Sequence, residues 1–108
     1  IDFTTNEKNQ SIAQMADITI KMLSMAVSSF VQRDKELALS VQKMDDDVDS
    51  LFQQAKVELV DMMCGGGVPD KKMAEGALEM LMIAKYFERI GDHTVNITEA
   101  VVTMLNGN

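Results

Sequence analysis

The sequence predicts an all-α fold, an antiparallel up-down-up three-helix bundle. Three observations lead there. Apolar residues recur at helical spacing along most of the chain. β-branched residues are scattered and nothing alternates for long, so strand signals are absent. Only two stretches look like breaks, Cys64-Gly65-Gly66-Gly67-Val68-Pro69-Asp70 and the weaker polar point Gln32-Arg33-Asp34. The length of 108 residues suits one domain with one core, so residues 1–108 read as a single bundle. An apolar share of 46% argues against a disordered tail.

The first helix is expected over about Glu7 to Arg33, opened by a capping box of Thr4 and Glu7. Its apolar stripe is Ile12, Met15, Ala16, Met22, Leu23, Ala26 and Phe30. The second is expected over Asp34 to Met63, with Asp34 as N-cap although no Gly or Pro marks that corner. Its stripe is Leu37, Val41, Met44, Val48, Leu51, Phe52, Ala55, Leu59 and Met62. Three glycines beside a proline end it, and Asp70 caps the third helix, Asp70 to Leu105. There the stripe is Ala77, Met80, Leu81, Ala84, Phe87, Ile90, Val95, Ala100 and Val102. At 1.5 Å per residue such helices are roughly 40 to 54 Å long, and short links between them imply the bundle.

Composition removes several functions. The net charge of −7 should repel bare nucleic acid and anionic lipid. One Cys excludes an intrachain disulfide and a Cys-rich metal site. No apolar run approaches the ~18 residues of a membrane span, and the opening residues do not have the pattern of a signal peptide. Ile at position 1 is what a processed chain or a fragment would show. No Ser/His/Asp or Cys/His set supports nucleophilic catalysis, and the Glu-x-x-His pairs of di-metal carboxylate bundles are absent, so an enzyme is not expected.

The acids carry the remaining chemistry. Asp45-Asp46-Asp47-Val48-Asp49 places four acids in five positions, and Glu88-Arg89-Ile90-Gly91-Asp92 holds two more. Asp45/Asp49 and Glu88/Asp92 are i,i+4 pairs, each on one helix face. Like charges at that spacing cost about 0.2–0.5 kcal/mol without a countercharge; a cation taking carboxylate oxygens would remove the cost. Asp45 lies as far before Met63 as Glu88 lies after Asp70, about 27 Å in each case, so in antiparallel helices both pairs fall at one height. Both also lie roughly 70–110° to the same side of their apolar stripes. For one hand of the bundle the pairs share a groove and for the other they point apart; the sequence leaves the hand open. Gly91 inside a helix costs about 1 kcal/mol relative to Ala, which points to close approach by a neighbour or ligand. Asn96 and Glu99 continue the same flank.

An acid run is ordinarily a solvated face, with Lys43, Lys85 and Arg89 here as countercharges. The shared height puts a cation site on equal footing with that reading. His93 points about 100° away from the carboxylate flank and reads as exposed or capping. The methionines read as core packing, Cys64 as a small structural residue, and Lys71 and Lys72 as a weak contact surface.

Asp45-Asp46-Asp47-Val48-Asp49-Ser50-Leu51-Phe52 and Ile83-Ala84-Lys85-Tyr86-Phe87-Glu88-Arg89-Ile90-Gly91-Asp92-His93-Thr94-Val95-Asn96-Ile97 resemble the phosphate-uptake regulator family, PhoU. The resemblance extends over all three helices, and the second segment is its more specific part. It implies a protein of two similar three-helix bundles, of which this chain would be one repeat, the C-terminal one. It implies paired Glu/Asp-x-x-x-Asp motifs holding iron or zinc clusters at the bundle surface. The matching positions are Asp45, Asp49, Glu88 and Asp92, with Asp46 and Asn96 as neighbours.

It further implies a cytoplasmic negative regulator at the inner face of the membrane. Such a regulator links the ATPase of a phosphate ABC transporter to a sensor histidine kinase. The hardness of carboxylate oxygen alone would equally suit Mg, Ca or Mn. A PhoU-like domain of a sodium–phosphate transporter and a metal-free helical interaction module are the alternatives. A homodimer is among the assemblies the sequence allows.

Overall fold

The structure, a computed structural model, describes residues 10–64 and 71–107. Three α-helices fill those residues: α1 (Gln10–Gln32), α2 (Lys35–Cys64) and α3 (Lys71–Asn106). Each packs on the other two, and consecutive helices run antiparallel: Ser11 Oγ near the start of α1 donates to Glu58 Oε2 near the end of α2 (2.8 Å). The ammonium of Lys35 at the start of α2 donates to Asn106 Oδ1 at the end of α3 (3.0 Å), which ties one end of the bundle. The expected bundle is thus the observed one. The Thr4/Glu7 capping box, the glycine-rich link after Cys64 and the Asp70 cap lie outside the described residues.

The corner between α1 and α2 forms without glycine. Arg33 takes φ 54°, the left-handed conformation that ends helices. The Asp34 amide then donates back to the Ser29 carbonyl (2.9 Å), and the Arg33 amide to that of Phe30 (3.3 Å). Those two bonds satisfy carbonyls that the helix end leaves open. Asp34 caps the next helix as expected, its Oδ1 accepting from the Leu37 amide (3.0 Å).

Buried positions recur at alternating steps of three and four. They run Ile12, Met15, Thr19, Met22, Ala26, Ser29 on α1 and Ala77, Met80, Ala84, Gly91, Thr94, Thr98, Val101 on α3. This is the seam of helices packed at a shallow angle. The middle of the seam on α2 is Val41, Val48, Phe52, Ala55 and Leu59. Three methionines, Met15, Met22 and Met80, are buried in it, and Met25, Met44, Met62 and Met63 pack against it.

Part of the expected core is corrected. Leu23 is 43% and Phe30 56% exposed, and Ile90 and Ala100 also face solvent. Gly91, Thr94 and Thr98 are buried in place of Ile90 and Ala100. The physical reason is that small residues let α2 and α3 approach, and the hydroxyls satisfy themselves on their own helix. Thr94 Oγ1 donates to the Ile90 carbonyl and Thr98 Oγ1 to that of Val95, each at 2.7 Å. Thr19 and Ser29 do the same on α1. Such back-bonding removes the cost of burying a hydroxyl, so hydrophobicity alone misplaces the stripe.

Candidate functional site

The groove between α2 and α3 holds the sequence-selected acids. Asp45 occupies a step of the α2 seam itself, three residues before Val48, and not a position clear of the apolar stripe as its azimuth suggested. Across from it stands Gly91. A Cβ built there would lie 2.8 Å from Asp45 Oδ1 and 3.6 Å from Val48 Cγ1, so the missing side chain makes room for the carboxylate. The same Oδ1 is buried and accepts no hydrogen bond. A buried, unpaired carboxylate oxygen is costly unless something neutralises it.

The charges converge as one hand of the bundle requires. Burial is the first cause that lifts the Asp45 carboxyl from its ordinary value to about 6, followed by the negative charges of Asp49, Asp92, Asp46 and Glu88. Asp49 is also raised, first by desolvation and then by Glu88, Asp92 and Asp46, while Lys85 opposes the shift. Asp45, Asp49, Glu88 and Asp92 therefore act on one another across the two helices. Among the described residues, no three His, Cys, Asp or Glu side chains close on a common point that could hold a metal ion.

Countercharge is sparse. Lys85 Nζ pairs with Glu88 Oε1 at 2.6 Å, the one ion pair among the described residues. The same ammonium lies 5.2 Å from the centre of the Phe52 ring, and Lys56 approaches that ring at 5.3 Å. Arg89, expected to help neutralise the acids, lies over Tyr86 instead, 6.0 Å from its centre. Asp46, Asn96 and Glu99 are exposed, and so are His93 and, at the end of α2, Cys64. The Phe52 platform under two ammonium groups escapes sequence reasoning. Its signal was the spacing of Phe52 and Lys56 on α2, one turn apart. Beyond that platform the groove turns apolar, opening into a cavity of about 460 Å³ lined by Leu59, Met63, Ala74, Ala77, Leu78 and Leu81 among others.

An all-α bundle with carboxylates gathered in the groove between its second and third helices defines a class of small helical units. Residues 12–101 match the PhoU domain, and the chain belongs to that family. It is 33% identical over 91% of its length to a phosphate-specific transport system accessory protein PhoU homolog of Clostridium acetobutylicum, of which it covers 43%. It is 31% identical over 94% of its length to PhoU homolog 1 of Thermotoga maritima, covering 42% of that protein. With the Pseudomonas aeruginosa homolog the figures are 36%, 81% and 34%. The chain thus spans less than half the length of these relatives. No helix among the described residues is long and apolar enough to cross a membrane.

Proposed function

We propose that this chain is a metal-binding unit of a regulator of phosphate uptake. The relatives named as phosphate-specific transport accessory proteins support the regulatory part of that reading. The metal part rests on one observation, the buried Asp45 Oδ1 with no hydrogen bond, set in a groove with three further carboxylates. The donor set fits a hard cation. Carboxylate oxygens suit magnesium, calcium or manganese, and the family resemblance favours iron or zinc. Asp45, Asp49, Glu88 and Asp92 would hold the ion, and Gly91 would keep α2 and α3 close enough for both pairs to reach it. The ion would neutralise charge in the groove and cross-link the two helices.

The unit acts by protein contact and not by catalysis. Its expected partners are the phosphate transporter's ATPase and a sensor histidine kinase at the inner face of the membrane, on which it is a negative regulator. A metal-free adaptor is the competing reading, favoured by the lack of three converging ligand side chains among the described residues. Calorimetric titration of chelator-stripped protein with iron(II), zinc and manganese separates the two. Binding to the wild type should fall at least about 100-fold in Asp49→Asn plus Asp92→Asn, or about 2.7 kcal/mol. Unchanged binding in that variant rejects the site, and no binding to the wild type rejects the metal reading.

A further inference from the structure

We propose that the α2/α3 groove is a docking site for a helix of a partner protein, basic at its N-terminal end and apolar at its C-terminal end. Residues facing the groove recur at seven-residue steps on both walls. One row on α2 is Asp49, Lys56 and Met63, and one row on α3 is Leu78, Lys85 and Asp92. That is the spacing against which another helix seats its own side chains. Because α2 and α3 are antiparallel, like meets like across the groove. Asp49 faces the charge of Asp92, Lys56 and Lys85 share the Phe52 ring, and Met63 and Leu78 line one cavity. The three levels stand about 10 Å apart. At the apolar level the cavity holds about 460 Å³, and Val60 and Leu78 on its walls are 55% and 59% exposed. From Asp45 to Met63 the groove is about 27 Å long, or roughly five turns of helix. A small molecule does not span that length; a helix does.

Charge selects the occupant. Asp45, Asp49, Glu88 and Asp92 at one end call for arginine or lysine. Lys56 and Lys85 in the middle call for an acid, and the cavity at the far end for leucine-like anchors. A helix carrying those residue types one heptad apart meets all three levels. Its N-terminal end belongs at the carboxylates, where its own dipole is positive, so it runs parallel to α2. The net charge of −7 that repels nucleic acid and anionic lipid draws such a helix in. A second copy of this chain is a poor fit. Its α1 carries a single base, Lys21, beside Asp17, and its α2 and α3 form the groove themselves. Helix docking does not rest on the metal reading, because the basic end of the helix and a metal ion are alternative ways of neutralising the same carboxylates.

Fluorescence anisotropy of a labelled synthetic peptide, titrated with the 108-residue protein in excess chelator, tests this. The peptide is an alanine-based helix of three heptads. Its a and d positions carry arginine in the first heptad, glutamate in the second and leucine in the third. Wild type should bind it at least about tenfold more tightly than a peptide with the same residues shuffled among those positions. Val60→Ser plus Leu78→Ser keeps the charge and should weaken the ordered peptide at least about tenfold. Both positions are exposed, so the variant should keep its helical circular dichroism. Its metal titration should match the wild type, so loss of the helix site and loss of the metal site are read separately. Asp49→Asn plus Asp92→Asn should weaken peptide binding and flatten its salt dependence. Equal binding of the ordered and shuffled peptides, a comparison that needs no variant, reduces the contact to general attraction of opposite charge and overturns the proposal. Peptide binding that Val60→Ser plus Leu78→Ser leaves unchanged also overturns it. So does a wild-type dimer in sedimentation equilibrium that those two changes dissolve, because the groove then belongs to a second copy.

Discussion

The two flanks of α3 face opposite problems. Toward α2, Glu88 and Asp92 meet Asp45 and Asp49, and like charges crowd a groove with one lysine paired in it. Toward α1, Ile90 and Ile97 stand beside Ile20, Val27 and Phe30 with their apolar surface in water. One helix, turned by less than half a revolution, presents an electrostatic excess on one side and a hydrophobic excess on the other. Neither arrangement contributes to the stability of the isolated bundle. The seam between the flanks does that work, and small residues such as Gly91 and Ala84 hold it close. The lesson is that packing and surface chemistry are encoded at different steps of the same heptad. A change at one step can therefore be read against the other.

The sharpest way to break the contrast is at Gly91. A β-branched side chain there would strike Asp45 and Val48, forcing α2 and α3 apart. Gly91→Val should cost about 2 kcal/mol in urea unfolding. It should also loosen the carboxylate groove, while the apolar flank toward α1 keeps its composition.

A smaller effect isolates the charge on the α2 side. The Asp45 carboxyl is raised to about 6 in the fold, from 3.8. Folding therefore favours its protonated form. The ionised form destabilises the metal-free protein, fully so above pH 6, and the penalty disappears as pH falls below about 4. Asp45→Asn should therefore stabilise metal-free protein at pH 7.5, by about 1 kcal/mol after allowance for solvent screening. The gain should vanish near pH 4, and thermal melts at both pH values check the sign.

The smallest predicted change lies outside both flanks and serves as their reference. Arg33 holds a left-handed φ that glycine adopts without strain. Arg33→Gly should raise stability by about 0.5–1 kcal/mol, measured by chemical denaturation, with metal titration and peptide binding unchanged.

Much of this was legible before any coordinate. Helical spacing located the helices to within a residue or two wherever their ends are described, as at Gln32, Lys35 and Asn106. Equal distances from the α2/α3 turn put both acid pairs at one height, and the structure turned them into one groove. Three features were not legible, each for a physical reason. The hand of the bundle depends on side-chain interdigitation across helices, which periodicity does not record. The C-terminal half of α3 buries Thr94 and Thr98 in preference to Ile90, because a hydroxyl bonded to its own helix is no longer polar to its neighbours. Asp45 sits in the seam, where an acid would be read as a solvent position, and only the empty side of Gly91 admits it.

Lys85 adds a last consequence. Its ammonium is already bonded to Glu88 and leans over Phe52. The groove therefore contains a tethered counterion, a cation the chain supplies to itself. An ion bound as proposed would compete with it for Glu88, and the displaced ammonium could not diffuse away as a sodium ion would. It would remain near the aromatic face of Phe52, where it already lies. Were a cation to occupy the groove as proposed, its entry would be an exchange between two cations, one free and one covalently attached, and the position of Lys85 would record which of them holds Glu88.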